Sequence, residues 1–533
     1  MPKGIRKLLC VQAVLVLVMV MAFAGCAPSE PAEGDDEGLA AEQILYVALE
    51  EDPDILDPHH TSMAVASTVM DLIYDRLVYI DSDGLPQGWL AESWDIQDDG
   101  KTVVFELREG INFHDGTPVN AEAVAFTFNR HIDPDEPAAQ DWIGPLDRAE
   151  ATGEYQVTLY YKSIHAPMFT QLATAYLGIM SPTAIQEHGA DYGRNPVGSG
   201  PMKLAEWRPV DRIILERNEE YRTWRTDVEN QGPWHLDQIV FRIVPEAGTR
   251  VAAMETGELH VAQVPPEEFP YMDEDPQFQT KPWREGTNIT YIEFNYDRPP
   301  FDDVRMRQAV AYAVDIESIV EGALGGFGEP NWNPLPIGVA GYDADIGREY
   351  GYQHDPDKAV ALLEQVGMTD TTGSGYVDVD GKDLELLFWI YPVDHLSRAA
   401  EMIKEQLSAV GLKMEIQTLE LGTLIARIFD GEQDFNIMRF TWADPVLLTY
   451  CYRSDQWLYS NPDVDELLNL ADATLEPEQR LEYVRQVQIE ILKDAATVPL
   501  YTTWVLDTHR AEVQGLGRGF QGGLLYHDVR ITE

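Results

Sequence analysis

The chain has 533 residues, too many for one core, because single hydrophobic cores stop growing near ~250–300 residues and longer chains divide into domains. Its 91 acidic against 38 basic residues give a formal charge of -53, a field that repels phosphate backbones and excludes a nucleic-acid partner. Of the 3 cysteines, Cys10 and Cys26 lie near the start and only Cys451 follows, so no disulfide framework or multi-cysteine metal cluster supports the fold.

Lys3, Arg6 and Lys7 precede an apolar run from Leu8 to Phe23, the charged start and apolar middle of a secretory signal. The run is shorter than the ~20 residues a membrane span needs. It ends in Phe23-Ala24-Gly25-Cys26, which resembles a bacterial lipobox, so residues 1–25 are expected to be a signal peptide and Cys26 a lipid-bearing N-terminus. Residues 26–41, rich in Pro, Gly and acid, read as a flexible tether. Loss of the leader removes three basic residues and deepens the negative charge. About 11 of the 38 basic residues are lysine, and a low-lysine, high-acid surface suits concentrated salt, where screening shrinks to ~3 Å near 1 M.

Ile44 to Leu49 is a short apolar run before Pro53 and predicts a buried strand feeding the loop Asp54-Ile55-Leu56-Asp57-Pro58-His59. Val65, Val69, Leu72, Ile73 and Leu77 recur at helical spacing and predict a helix over Thr61 to Tyr79. Thr102 to Leu107 follows the turn Asp98-Asp99-Gly100 as a strand leaving a hairpin, and a helix is expected to open at Asn120. Gln156 to Tyr161 and Arg212 to Glu216 are further strands. Beyond Gly286 come a strand at Tyr291 to Asn295 and a helix capped by Asp303 that runs from Val304 to about Leu324. Leu384 to Ile390, Ser397 to Val410 and Met414 to Gln417 form a βαβ unit, whose strands should be parallel. Asp465 to Asp494 supplies two more helices, and Val498 to Tyr501 begins a final strand-like return.

Catalytic patterns are missing. No H-E-x-x-H occurs among the 12 histidines, the nucleophile spacing G-x-S-x-G is not met around Ser199, and no glycine-rich phosphate loop follows a strand. No cofactor is called for. Cys451, between two tyrosines, reads as a buried structural residue.

Leu90-Ala91-Glu92-Ser93-Trp94, the run Leu107 to Pro118 that contains Asn112-Phe113-His114-Asp115-Gly116-Thr117, and Ala121-Glu122-Ala123-Val124 form one ordered block. Gly198-Ser199-Gly200-Pro201, Pro300-Phe301-Asp302-Asp303-Val304-Arg305, Ala313-Val314-Asp315 and Ala495 to Tyr501 follow it. Together they resemble the extracytoplasmic solute-binding proteins that serve ABC importers of peptides, nickel and some oligosaccharides, the bacterial family 5 binding proteins. The resemblance covers nearly all of Glu42 to Val513.

It implies an α/β, two-lobed periplasmic-binding-protein-like fold of type II, with an extra subdomain inserted in lobe one. Lobe one is expected to take residues 42–288 and 506–533 with the insertion at about 54–180, and lobe two residues 289–505. Gly116 and Gly200 would then serve tight turns. The loop after the first strand would bring Asp57, His59 and His60 to the ligand. On lobe two the loop from Arg439 through Trp442 to Asp444 is the other candidate. Peptide-binding relatives often place an aspartate three residues after a tryptophan to pair with the peptide's amino terminus; here Asp444 follows Trp442 by two. Trp332 and Trp389 are lesser candidates, with core packing as the alternative. The implied protein is a lipid-anchored monomer at the outer face of the cytoplasmic membrane that binds a solute, catalyses nothing and delivers to a permease. Peptide is the leading ligand; an oligosaccharide, nickel or a sensing role are the alternatives.

Overall fold

The computed structural model describes residues 39–533 apart from 83, 98, 136, 137, 139–141 and 285 and the side chain at 394. The leader, Cys10, Cys26 and most of the tether lie outside the described residues. Glu42–Ile531 is one compact unit, and the elements below belong to it.

β1 (Ile44–Leu49) alternates half-buried and buried residues, and α1 (Ala64–Ile73) follows. The helix is shorter than its periodicity predicts. Thr61 is held by a hydrogen bond from its hydroxyl to Asp54 at 2.7 Å, and the chain becomes extended at Tyr74, whose hydroxyl donates to the Leu56 carbonyl at 3.0 Å. The Gly198-Ser199-Gly200 segment then packs on the helix end, with the Gly200 amide donating to the Ile73 carbonyl at 2.9 Å. Gly116 has the expected positive φ, at 82°, but Gly200 does not. A Cβ on Gly200 would lie 2.7 Å from the Ile73 backbone, so this glycine is needed for close approach and not for a turn.

The antiparallel strands β2 (Ala91–Ile96), β3 (Thr102–Leu107), β4 (Leu146–Ala151) and β5 (Gln156–Tyr161) form a separate sheet, ordered β2-β3-β5-β4, under α2 (Ala121–His131). Asn120 caps that helix by accepting from the Ala123 amide at 3.0 Å. Buried Phe105, Phe128, Val157 and Leu159 fill the space between. The chain returns through β6 (Met202–Arg208), β7 (Arg212–Arg217), β8 (Gln238–Ile243), β9 (Val261–Gln263) and β10 (Phe278–Trp283), and crosses to β11 (Asn288–Phe294), buried along its whole length.

α3 (Val304–Ala313) and α4 (Ile316–Leu324) replace the single helix expected there. Val314 is extended, and the Asp315 carboxylate accepts from the Ser318 amide at 3.1 Å, so a second cap restarts the helix within an apolar pattern that continues through the break. β12 (Gly328–Pro330), α5 (Ala344–Tyr350), β13 (Glu385–Ile390), α6 (Asp394–Ala409), β14 (Lys413–Thr418) and β15 (Phe435–Thr441) follow. β13 and β14 pair in parallel, as the βαβ pattern requires. α7 (Pro462–Asp472) and α8 (Pro477–Lys493) precede β16 (Thr497–Thr503), and after Trp504 the chain crosses to the first sheet as β17 (Val505–Arg510).

Two large sheets result, ordered β10-β17-β9-β1-β8-β7-β6 and β12-β16-β11-β15-β13-β14. The chain passes between them twice, from β10 to β11 and from β16 to β17, and these passages join two lobes. Phe294, Phe301, Phe388 and Phe435 centre one core on the second sheet, and Trp389, Leu447, Val487 and Ile491 fill its other face. Each such side chain contributes about 1.5–3 kcal/mol by burial. Cys451 is in that second core, where the Tyr291 hydroxyl lies 3.7 Å from its sulfur and burial pushes the thiol up to about 12. Among the described residues no helix is long and apolar enough to cross a membrane.

Candidate functional site

The two crossings identify the facing edges of the lobes. In the second lobe β13, β14 and β15 run parallel, and their C-terminal ends lie on the edge where β11 enters and β16 leaves. Ligands of α/β sheets bind outside such carboxyl ends. In the first lobe the same reasoning selects the C-terminal ends of β1 and β9, next to the start of β17, where Gln263 pairs with Asp507. The cleft between these edges is the candidate site. A larger hollow, about 660 Å³, is lined by the middle of α6 and the N-terminal ends of β13 and β14, on the opposite edge of the second sheet.

Arg439, near the end of β15, is exposed, and its guanidinium makes no ion pair or hydrogen bond among the described residues. It pairs in register with Thr290, which pairs with Tyr501, so the three share one face of the sheet. Beside them His395 opens α6, its ring 6.2 Å from that of Tyr501. Burial, then the charges of Arg439 and Arg398, push the His395 imidazole down to about 3, which keeps it neutral. Burial raises the Tyr391 hydroxyl, and Arg439 opposes that shift. Arg398 is 3.7 Å from Glu267 of the first lobe. This edge is a positive floor with neutral donors around it, suited to a carboxylate or another small anion.

The facing edge is acidic. Leu49, Glu50 and Glu51 at the end of β1, with α1 and the segment Gly522–Tyr526, enclose a cavity of about 250 Å³. Burial, followed by the neighbouring charges of Glu50 and Asp54, raises the Glu51 carboxyl.

Four of the sequence candidates, Asp57, His59, Trp332 and Trp389, are scaffold. Asp57 accepts a two-pronged ion pair from Arg130 of α2, at 3.0 and 2.8 Å, together with the His59 amide at 3.0 Å. Its other neighbour is the His60 ring, 3.0 Å away. Burial would raise its pKa, but the bonds to His60 and Arg130 and the Arg130 charge hold it well below the carboxylate range. His59 is fully buried, its Nδ1 accepts from Arg130 at 3.1 Å, and burial and then His131 depress it. These contacts tie the loop to α2, and of the two histidines only His60 keeps an accessible ring, at 33%. Trp332 packs half-buried against the second-lobe core and lies over Gly347 and Gly351, where a Cβ would collide with it. Trp389 is wholly buried under Arg427.

Asp444 is also not free to anchor an amino group. Arg480 of α8 donates to both its oxygens, at 2.5 and 3.1 Å, the Val446 amide donates at 2.8 Å, and the Thr170 hydroxyl of the first lobe lies 3.1 Å away. A carboxylate has about four acceptor sites, and these neighbours occupy them. Burial would raise Asp444, and the Arg480 charge reverses that shift. Trp442 is in the cleft, but Trp142 of the inserted subdomain stacks on it, 5.1 Å away and 5° from parallel, with Tyr176 stacked beyond at 4.5 Å. Gln171 donates to the Tyr450 hydroxyl at 2.9 Å and the Ala166 amide to the Asp472 carbonyl at 2.7 Å. The lobes are therefore clasped at this end of the cleft.

Reading the sequence missed Tyr391, His395 and Arg398. Their signal was available: they directly follow the apolar strand of a βαβ unit, the position at which such sheets bind ligands. Among the described residues no group of three His, Cys, Asp or Glu side chains is placed to hold a metal ion.

Comparison with known proteins agrees with this architecture. The chain is 28% identical over 467 residues to the dipeptide-binding protein of Escherichia coli, covering 80% of this chain and 82% of that one. It is 29% identical over 469 residues to heme-binding protein A of Haemophilus influenzae, with 80% and 81% covered. Among solved structures, NikA of Brucella suis in complex with Fe(III)-EDTA superposes with a TM-score of 0.82 at 23% identity, covering 92% of this chain and 100% of that one. A Pseudoalteromonas dipeptide-binding protein in complex with Met-Leu gives 0.79 at 24%, with the same coverage. The family model described as bacterial extracellular solute-binding proteins, family 5 Middle, matches residues 86–457. The chain belongs to that family, and it is a two-lobed extracytoplasmic solute-binding protein and not an enzyme.

Proposed function

We propose that the protein captures a peptide for an ABC importer, holding the peptide's carboxylate at Arg439 while the lobes close, and that a lipid on Cys26 keeps it at the outer face of the membrane. The observation that carries the reading is Arg439 itself, an exposed guanidinium without an acidic partner among the described residues, at the carboxyl ends of the parallel strands β13, β14 and β15. Its neighbours Tyr391, His395 and Tyr501 are neutral, so an incoming carboxylate meets no competing negative charge there. Relatives named for dipeptides and a neighbour bound to Met-Leu support the same ligand class. The anchor rests on the leader sequence alone.

The test is calorimetric titration of residues 27–533 with Met-Leu and its C-terminal amide. A hydrogen-bonded charge contributes about 1.5–3 kcal/mol, so amidation or Arg439→Gln should weaken binding about 10–100-fold. Affinity that ignores both changes refutes the carboxylate site. Binding of oligosaccharides alone would refute the peptide reading; stacking of a sugar on Trp442 is already disfavoured, since one face of that ring is covered by Trp142.

A further inference from the structure

The acidic cavity in the first lobe has no role in carboxylate capture. It lies on the sheet beside the C-terminal ends of β1 and β9, with α1 and the segment Gly522–Tyr526 around it, and its volume of about 250 Å³ is below the range of whole-ligand pockets. It therefore suits one side-chain-sized group of a larger ligand.

Four carboxylates line it, against two guanidinium groups. Arg250 is paired with Glu50 at 2.7 Å, and Arg518 with Asp507, Nε to Oδ2 at 2.8 Å. Asp71 is paired with Arg76. Glu51 is left with no cation beside it among the described residues, and its acidic neighbours Glu50 and Asp54 raise its pKa further. A second and separate signal is Tyr526. This residue lines the cavity, is only 2% exposed, and its hydroxyl has no hydrogen-bond partner among the described residues. Asp507, Arg518 and Asp71 line the same cavity wall as Tyr526. Leaving a buried hydroxyl unmatched is unfavourable, and a ligand donor would satisfy it.

We propose that this cavity is a subsite for a cationic group of the ligand, an ammonium or guanidinium, received by Glu51 with the Tyr526 hydroxyl as acceptor. Val47, Val65, Val261 and Leu524 supply apolar wall for the aliphatic stem of such a group. The proposal rests on the peptide reading above for what bears the cation: a lysine or arginine side chain or the amino terminus. The two edges of the cleft then have opposite signs, negative on the first lobe and positive at Arg439, which favours zwitterionic ligands over neutral ones.

The experiment compares dipeptides that differ only in the cation, lysine against norleucine and arginine against citrulline, by calorimetry at fixed ionic strength. The same ratios are measured for Glu51→Gln and Tyr526→Phe, whose folding is checked by their unliganded melting points. The expected result is a preference of at least tenfold for the cationic partner, reduced to below threefold by Glu51→Gln and lowered by Tyr526→Phe. Equal binding of the paired peptides, or a preference that survives both substitutions, overturns the subsite. If no peptide binds, the peptide reading fails, and L-arginine, agmatine and cadaverine become the probes. A thermal shift with these that disappears in Glu51→Gln upholds the subsite, and no shift with any of them overturns it.

Discussion

Arg480→Met should be among the most destabilising single changes in the second lobe. Asp444 and Arg480 are both nearly buried, with side chains 5% and 14% accessible, and two of the bonds to the carboxylate come from the guanidinium. Removing the arginine leaves the Val446 amide and the shared Thr170 hydroxyl to hold a buried negative charge. Breaking such a pair from one side destabilises by about 3–5 kcal/mol, and replacing both partners by apolar groups is often neutral. For a lobe-sized cooperative unit, at about 2–4 °C per kcal/mol, the melting point should fall by roughly 6–20 °C. The double variant Asp444→Leu with Arg480→Met should recover most of the loss. The sign with pH is also determined. In the native protein the Asp444 pKa is lowered, so its stabilisation is present above the unfolded value and is lost as pH falls through the folded one. Without Arg480, burial raises that pKa instead, so the deficit of the variant should shrink as pH falls from 7 toward 4.5. Melting curves of the four proteins at several pH values provide the assay. A single-variant loss under about 1 kcal/mol, or a double variant no better than Arg480→Met, would refute the argument from charge compensation.

Glu293 in β11 is fully buried, and burial, opposed by a bond from Asn436, pushes its carboxyl up to about 8. Because this folded value exceeds the unfolded one, the contribution is intact at low pH and lost as pH rises from about 4.3 through 8. Glu293→Gln should flatten that part of the melting-point profile, and an unchanged profile would contradict it. Gly200→Ala forces a methyl against the Ile73 backbone and should destabilise by about 1–3 kcal/mol in urea unfolding. Gly116→Ala meets nothing within 4 Å and should show only the left-handed strain, about 1–2 kcal/mol. Finally, a chain of charge -53 should melt at rising temperature between 0.05 and 2 M NaCl as repulsion is screened; a flat response would remove the basis for a saline adaptation.

How much of this was legible beforehand depended on distance along the chain. Thr102–Leu107 and Gln156–Tyr161 are strands with the predicted bounds, because alternation and adjacent turn residues are local. The helix restart at Asp315 was not read, although Ala313-Val314-Asp315 carries a capping residue, because the apolar pattern continues through the break. The internal engagement of the loop candidates was not legible for a different reason. Asp57, His59 and Asp444 have the residue types of a binding site, and their partners Arg130 and Arg480 lie 73 and 36 residues away from the carboxylates they hold.

Ordered motifs and residue periodicity along the chain were enough for the family, the two-lobed α/β architecture and the parallel βαβ unit, and the binding rather than catalytic role comes with the family. Tertiary structure alone decided which charges are compensated. It spent Asp57 and Asp444 on internal arginines and, among the described residues, left Arg439 and Glu51 without opposite charges beside them on the facing edges of the cleft. The physical reason is that desolvation and ion pairing depend on separation in space, and a linear pattern does not encode which distant guanidinium folding will bring to a given carboxylate.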